Sequence, residues 1–301
     1  MNASDTIDQA ATSPHPSVAN VPLEARRPLR IRANGQTDTG RKRTSNEDQF
    51  LIAVLSRALR VLQTSIEQPQ VQLGAPEGYL FMVADGVGGH AAGEMASEMA
   101  VNSIEKFVVD TLKWCSHLRA TAQGDPILLE FQRALSQAND KVIFEADRNP
   151  AWHGMATTMT LGYFFQRELF VAHVGDSRCY LLRNGLLYRL TRDHTFVAEM
   201  VRRGVLKPEE AANHAYRHVV TNVVGGDDPG VQVEVHKMAL EGGDCLLLCS
   251  DGLTEMVTDE EILQILVNTP DTAATCDRLV KRANEKGGKD NVTVVVARFE
   301  E

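Results

Sequence analysis

Phe81-Met-Val-Ala-Asp85-Gly-Val-Gly-Gly-His90-Ala-Ala-Gly-Glu94-Met-Ala-Ser97 is the stretch from which the rest of the chain can be read. Tyr79 to Ala84 is apolar and reads as a buried strand. It stops at a carboxylate followed by Gly86, Gly88 and Gly89, where the backbone can turn sharply or come close to a ligand. Ala91 to Phe107 then places Ala92, Met95, Ala96, Met99 and Ile104 at helical spacing, which predicts a helix. Taken alone, Asp85 reads as a solvated turn residue, and the other acids of the chain test that reading.

The 301 residues, 43% of them apolar, are enough to bury a sizeable core in one large or two small domains. With 31 basic and 40 acidic side chains the net charge is −9, which argues against general binding to nucleic acid or to an anionic membrane surface. No run approaches the roughly 18 apolar residues of a membrane span, and the N-terminus has neither a basic start nor an apolar signal core, so a cytoplasmic location is expected. The five cysteines form no disulfide frame. Cys245 and Cys249 invite a zinc reading, but at strand spacing they stand roughly 13 Å apart, too far for one tetrahedral ion.

Residues 1–30 are rich in Ala, Ser, Pro and Asn without apolar periodicity and read as a disordered tail, followed by a single domain over 31–301. A first strand is expected at Leu29 to Gly35, a turn at Thr37 to Gly40, and then the acids Glu47 and Asp48 at the start of an apolar run from Phe50 to Leu55. Arg57 to Gly78 reads as a polar excursion between paired strands. A second helix is predicted over Ile127 to Ala146, with Pro126 at its first turn. Strands follow at Gly154 to Phe165 and from Glu168 to the acid Asp176, joined by a turn at Gln166-Arg167. A hairpin turns at Asn184-Gly185. His173, inside an apolar run, reads as a hydrogen-bonded core histidine. Residues 191–228 hold too few apolar positions for a core of their own and read as a flap. Strands are predicted at Val231 to Val235, Asp244 to Ser250 and Val292 to Phe299, with helices over Asp259 to Val267 and Thr272 to Lys286.

Asp85, Asp176 and Asp251 each stand just after an apolar strand, whereas Glu47, Asp48 and Asp290 stand just before one. In an antiparallel sheet those positions share an edge, so six carboxylates can converge on one rim. Such crowding raises proton affinities unless divalent cations relieve it, and an oxygen-only donor set favours magnesium or manganese over zinc. Two close cations can activate a bridging water, and Arg43, near the acids in sequence, can hold a phosphate through its fork. That chemistry is phosphate ester hydrolysis. A catalytically silent phosphoprotein-binding module and a metal-dependent nuclease are the competing readings; the complete acid set speaks against the first, and the net charge speaks against the second.

The ordered motifs Arg43-x-x-Asn46-Glu47-Asp48, Asp85-Gly86-Val-Gly-Gly-His-x-x-Gly93-Glu94, Gly154-Met-Ala-Thr157-Thr158, Val174-Gly-Asp176-Ser177-Arg178, Asp193-His194-Thr195, Ser250-Asp251-Gly252-Leu253 and Lys289-Asp290-Asn291-Val-Thr293 resemble the metal-dependent serine/threonine protein phosphatases of type 2C in their compact bacterial form. The resemblance covers Asn34 to Phe299. It implies an α+β fold, a four-layer α-β-β-α sandwich of two antiparallel sheets flanked by helix pairs, with 191–228 as the flap beside the site. It also implies two Mn2+ or Mg2+ ions and a third, weaker site. On that pattern Asp85 bridges two metals, Gly86 lends its carbonyl, and Glu47 serves one ion while Asp251 and Asp290 serve the other. Asp48 acts through coordinated water, Asp176 with Asp251 takes the third ion, and Arg43 binds phosphate. The reaction implied is hydrolysis of phosphoserine and phosphothreonine by the bridging water or hydroxide, on phosphoprotein substrates of a partner serine/threonine kinase, by a monomer. Larger members carry a His directly after the Asp-Gly pair, where this chain has Val87; the general acid is therefore either His90 or a metal-bound water.

Overall fold

The computed structural model describes residues 28–60, 63, 71–87, 91–112, 125–211, 214–227 and 230–301. Among these, β1 (Arg30–Asp38), β12 (Val292–Glu300), β11 (Cys245–Cys249), β7 (Arg178–Arg183) and β8 (Leu186–Arg189) form one antiparallel sheet in that spatial order. The second runs β10 (Glu234–Ala239), β6 (Glu168–Val174), β5 (Met159–Phe165), β3 (Val71–Val87), β4 (Ala156–Thr157) and β9 (Val224–Gly225), with β2 (Asp48–Arg60) also paired to β3. Helices α1 (Ala91–Phe107) and α2 (Pro126–Arg148) cover the second sheet. The short α5 (Asp251–Thr254) and the helices α6 (Asp259–Asn268) and α7 (Thr272–Glu285) cover the first. The flap carries α3 (Phe196–Arg202) and α4 (Pro208–Ala211). The four-layer α-β-β-α sandwich expected from the sequence is therefore the observed fold. No helix of the described residues is long and apolar enough to cross a membrane.

Strand periodicity explains why the central strands read as unbroken apolar runs: successive side chains point to opposite faces, and here both faces are covered. In β3, Leu80, Met82 and Ala84 pack under α1 and α2, while Phe81 and Val83 enter the layer between the sheets. In β11, Cys245, Leu247 and Cys249 face α6 and α7, and Leu246 and Leu248 face the other sheet. Val292, Val294 and Val296 of β12 take the helix side, and Val295, Ala297 and Phe299 the inter-sheet side. The two cysteines are thus buried core thiols on one face of a strand.

Local signals hold where they are strong. Asp125 caps α2 by accepting from the Ile127 amide at 3.0 Å, with Pro126 in the first turn. Thr258 and Glu261 form a reciprocal capping box on α6. Both hairpin turns use the left-handed region, at Gln166 and Arg167 (φ 50° and 67°) and at Asn184 and Gly185 (φ 52° and 76°).

Several expectations need correction. β1 continues to Asp38, through the predicted turn at Thr37, because it pairs along its whole length with β12. Of the polar segment read as an excursion over Arg57 to Gly78, residues 57–60 and 71–78 instead extend the β2–β3 pairing, with register shifts between Leu55 and Ser56 and between Ser56 and Ala58, while 61, 62 and 64–70 lie outside the described residues. β5 joins β3 only from Gly78 onward, so the extension has no second neighbour to impose apolar alternation. The strand predicted at Val231 begins at Glu234, where pairing with His173 starts. The strand predicted over Gly154 to Phe165 divides at Thr158 into β4 and β5. Val224 and Gly225, read as flap, belong to the second sheet through β4. The expected N-terminal tail lies outside the described residues over 1–27, as do Gly88, Gly89, His90 and Cys115.

Candidate metal centre

The acids converge at one open end of the inter-sheet layer. Asp48 and Asp85 are register partners across β2 and β3. Each continues the inter-sheet phase of its strand, set by Phe50 and Ile52 in one and by Phe81 and Val83 in the other. Ser250 and Thr293 arrive with the same phase from β11 and β12. The Ser250 hydroxyl donates to Asp48 Oδ2 at 2.7 Å and accepts from the Thr293 amide at 3.0 Å. Asp251 follows at the first turn of α5, and Asp290 lies just before β12.

Backbone hydrogen bonds hold this rim in place. The Asp85 amide donates to Thr158 Oγ1 at 3.0 Å, while its carbonyl accepts from the Thr158 amide and the Thr157 hydroxyl at 2.8 and 2.9 Å. Thr158 in turn shares a 2.7 Å hydroxyl contact with Ser177, beside Asp176. Glu47 is fixed by its own peptide: its amide donates to Asn291 Oδ1, and its carbonyl accepts from the Gly86 amide and Ser97 Oγ. Asn291 Nδ2 donates to the Thr39 and Ser45 carbonyls, so one side chain clasps the β1–β2 loop next to Asp290. These clasping roles of Thr157, Thr158, Ser97, Ser250 and Asn291 were not assigned from the sequence. The one available signal was small hydroxyl and amide residues beside the acids.

Glycine enters for space. A Cβ on Gly86 would stand 2.3 Å from the Gly93 carbonyl oxygen, one on Gly93 2.1 Å from Glu47 Oε2, and one on Gly252 1.9 Å from the Asn291 carbonyl oxygen. The Asp-Gly pairs are thus close backbone crossings.

The electrostatics are those of an uncompensated anionic cluster. Burial pushes the Asp48 carboxyl up to about 6, against opposing hydrogen bonds from Ser250 and Thr293. Asp176 is also raised to about 6, by burial and then by the charge of Asp193. Asp85 and Asp251 are raised well above the usual carboxylate range, again by burial first and then by neighbouring carboxylates, Asp48 for Asp85 and Asp176 for Asp251. Asp48 Oδ1 and Asp251 Oδ1 are buried with no hydrogen-bond partner among the described residues. Orphaned anionic oxygens in a crowded, oxygen-only donor set are what divalent cations satisfy, so the residues fit a magnesium or manganese centre. Ligating atoms of Asp251, Glu255 and the flap residue His218 also lie within 4.8 Å of one another.

Arg43 reaches the same rim, where it donates to Asp290 Oδ2 at 2.7 Å with about half of its side chain exposed. All eight residues named from the sequence, Arg43, Glu47, Asp48, Asp85, Gly86, Asp176, Asp251 and Asp290, lie at this end of the inter-sheet layer. His173 is a core residue, as expected: Thr160 Oγ1 lies 2.8 Å from Nδ1 and the Arg192 carbonyl 3.0 Å from Nε2, and burial lowers it to about 4. The flap is tied to the rim through His194, whose amide donates to the Gly175 carbonyl while its Nδ1 accepts from the Gly175 amide.

A carboxylate rim closed by an arginine, at the mouth of a double antiparallel sheet, defines a metal-dependent centre for anionic substrates. Residues 71–295 match the Protein phosphatase 2C family, and the chain belongs to it. It is 33% identical over 266 residues to the serine/threonine phosphatase Stp of Listeria innocua, covering 88% of this chain and 95% of that protein. It is 36% identical over 248 residues to the serine/threonine protein phosphatase PstP of Mycobacterium tuberculosis, covering 82% of this chain but 45% of that longer protein. Among solved structures, the catalytic domain of PstP in complex with two manganese ions superposes with a TM-score of 0.70 at 32% identity, over 91% of this chain and all of that one.

Proposed function

We propose that this chain hydrolyses phosphoserine and phosphothreonine in proteins, using divalent cations held by the carboxylate rim. The observation that carries the reading is the pair Asp48 and Asp85, facing across two strands with raised proton affinities, together with the orphaned oxygens of Asp48 and Asp251. Glu47, Asp48, Asp85, Asp251 and Asp290, with the Gly86 carbonyl, are assigned to two cations, and Asp176 with Asp251 to a third, weaker one. The two manganese ions of the PstP structure support manganese as the metal. Bound there, the cations supply an activated water and offset the charge of the phosphate.

The chain's own groups do the rest. Arg43 turns its fork from Asp290 to the phosphate and orients it. Ser250 and Thr293 hold Asp48, and Thr157 and Thr158 hold the Asp85 peptide, so the rim keeps its geometry when substrate arrives. The flap lines one side of the site, next to Asp176 and Asp251.

The net charge of −9 supports a protein substrate over nucleic acid. A partner serine/threonine kinase, a cytoplasmic location, a monomeric state and one folded unit over 31–301 with 191–228 as its flap belong to the same reading; the shared inter-sheet core supports the last. The test is phosphopeptide hydrolysis by wild type, Asp85→Asn and Asp251→Asn with manganese or chelator. Wild type should work only with metal, and both variants should lose activity. Activity retained in both variants would refute the metal assignment, and no hydrolysis by wild type with manganese would refute the activity.

A further inference from the structure

Beside the carboxylate rim the surface changes sign. A groove of about 1550 Å³ runs between the flap and α5, from Asp176 and Asp251 at one end to the arginines of the flap. With Asp176 and Asp251 set aside as metal ligands, its walls hold seven Arg and Lys side chains against four carboxylates, in a chain of net charge −9. Two of these cations serve the fold, since Arg178 and Arg189 both close on Asp193. The other five outnumber their acidic partners. Arg192 is 73% exposed and reaches Glu234 only at 3.5 Å, while Arg202 and Arg203 share the single carboxylate of Glu199. Arg217 and Lys289 are exposed and form no side-chain ion pair among the described residues. Two of the groove's carboxylates are already engaged, Glu234 by His194 and His236 and Glu255 by His218.

A site for one drug-sized ligand occupies about 300–1,000 Å³, so this groove exceeds what one phosphorylated side chain fills and suits several residues of extended chain. Guanidinium forks match the planar geometry of carboxylates and phosphates, and here five cations share only two carboxylates, Glu199 and Glu234. We propose that the groove binds an anionic flank of the substrate, acidic side chains or a second phosphate beside the one being hydrolysed. The enzyme thereby selects phosphosites in acidic or multiply phosphorylated segments. This rests on the phosphatase reading, with the scissile phosphate at the rim end of the groove. Exposed charges act over about 8 Å at physiological ionic strength, so the selection weakens as salt rises.

The test compares three phosphothreonine peptides that differ only in their flanks: alanine, aspartate and glutamate, or a second phosphothreonine. All are assayed with the full chain and manganese, with p-nitrophenyl phosphate reporting whether the centre itself works. Both anionic flanks should raise kcat/KM about tenfold, through KM, with the advantage shrinking at high salt. The ratio of anionic to neutral substrate should fall to about one in Arg203→Glu/Arg217→Glu and persist in Arg203→Lys/Arg217→Lys. The difference between the acidic and the doubly phosphorylated peptide tells which anion the forks prefer. Equal kcat/KM for all three peptides in wild type would overturn the inference, as would a preference that survives the charge reversal. Stronger competition by a single-stranded oligonucleotide than by the acidic peptide would overturn it too. Any of these with p-nitrophenyl phosphate and the neutral peptide still hydrolysed leaves the phosphatase reading intact, whereas loss of all hydrolysis by wild type would sink that reading instead.

Discussion

Ser250 and Asp48, 202 positions apart in sequence, are joined by a 2.7 Å hydrogen bond from the hydroxyl to Oδ2, and Asp48 Oδ1 is buried with no partner among the described residues. The fold thus holds a desolvated carboxylate in place and satisfies only half of it. Such a group is retained for what binds it, because alone it destabilises the folded state.

Asp48→Asn should therefore raise the stability of the metal-free protein while abolishing the manganese-induced rise in Tm and most activity. Burial raises Asp48 from the ordinary 3.8 to about 6. A carboxyl raised in the folded state contributes its full stability below about pH 4 and loses it as pH rises through about 6. The gain in the Asn variant should be near zero at pH 4 and on the order of 1–3 kcal/mol above pH 6. Denaturant melts at the two pH values check this; an equal or lower stability of the variant at pH 7 contradicts it.

Manganese binding should release protons in mildly acid solution. Asp48 and Asp176, both raised to about 6, hold protons there that must leave before the carboxylates can bind a cation. The manganese-induced shift in Tm should shrink as pH falls from 8 to about 5.5. A shift independent of pH over that range would show that these carboxylates are ionised before metal arrives.

Arg43→Ala should raise KM for a phosphopeptide about tenfold, with a smaller fall in kcat, and Arg43→Lys should recover part of the loss. The manganese concentration for half-maximal activity should not rise, because Arg43 competes with the cation for Asp290 rather than assisting it. A higher manganese requirement in the Ala variant would place Arg43 in metal binding instead of phosphate binding.

Gly252→Ala and Gly93→Ala should separate stability from metal affinity. At Gly252 the new Cβ meets a backbone carbonyl oxygen, which can yield only if β12 shifts, and the loss should be about 2–3 kcal/mol. At Gly93 it meets the tip of the Glu47 side chain first and the Gly86 backbone less closely, so Tm should fall less while manganese affinity drops. Equal loss of Tm in both would show that Glu47 is as rigid as the backbone.

Legibility followed coverage. The later part of β3, from Tyr79, and β11 and β12 are legible because both of their faces are buried, leaving long apolar runs with acids at their ends. Before Gly78, β3 is paired with β2 alone and lacks β5 on its other side, so nothing imposes apolar alternation and the sequence there reads as a polar excursion. β10 lies at the edge of its sheet, and it starts three residues after the apolar alternation does, because Val231 and Val233 pack on the core before the pairing begins. Thr158 and Asn291 stood in view beside the acids, but their task is to hold backbone groups distant in sequence, and no local pattern encodes such partners.

The apolar layers and the six carboxylates at strand ends are legible in the residues, because strand periodicity and the sites where apolar runs stop are local properties. Only the packing of the two sheets gives Asp48 and Asp85 the same inter-sheet phase, leaves Asp48 and Asp251 each with an oxygen unpartnered among the described residues, and sets Arg43 on Asp290. Desolvation and charge repulsion depend on distances between residues far apart in the chain, so the raised proton affinities that call for metal exist only once the two sheets have closed on each other.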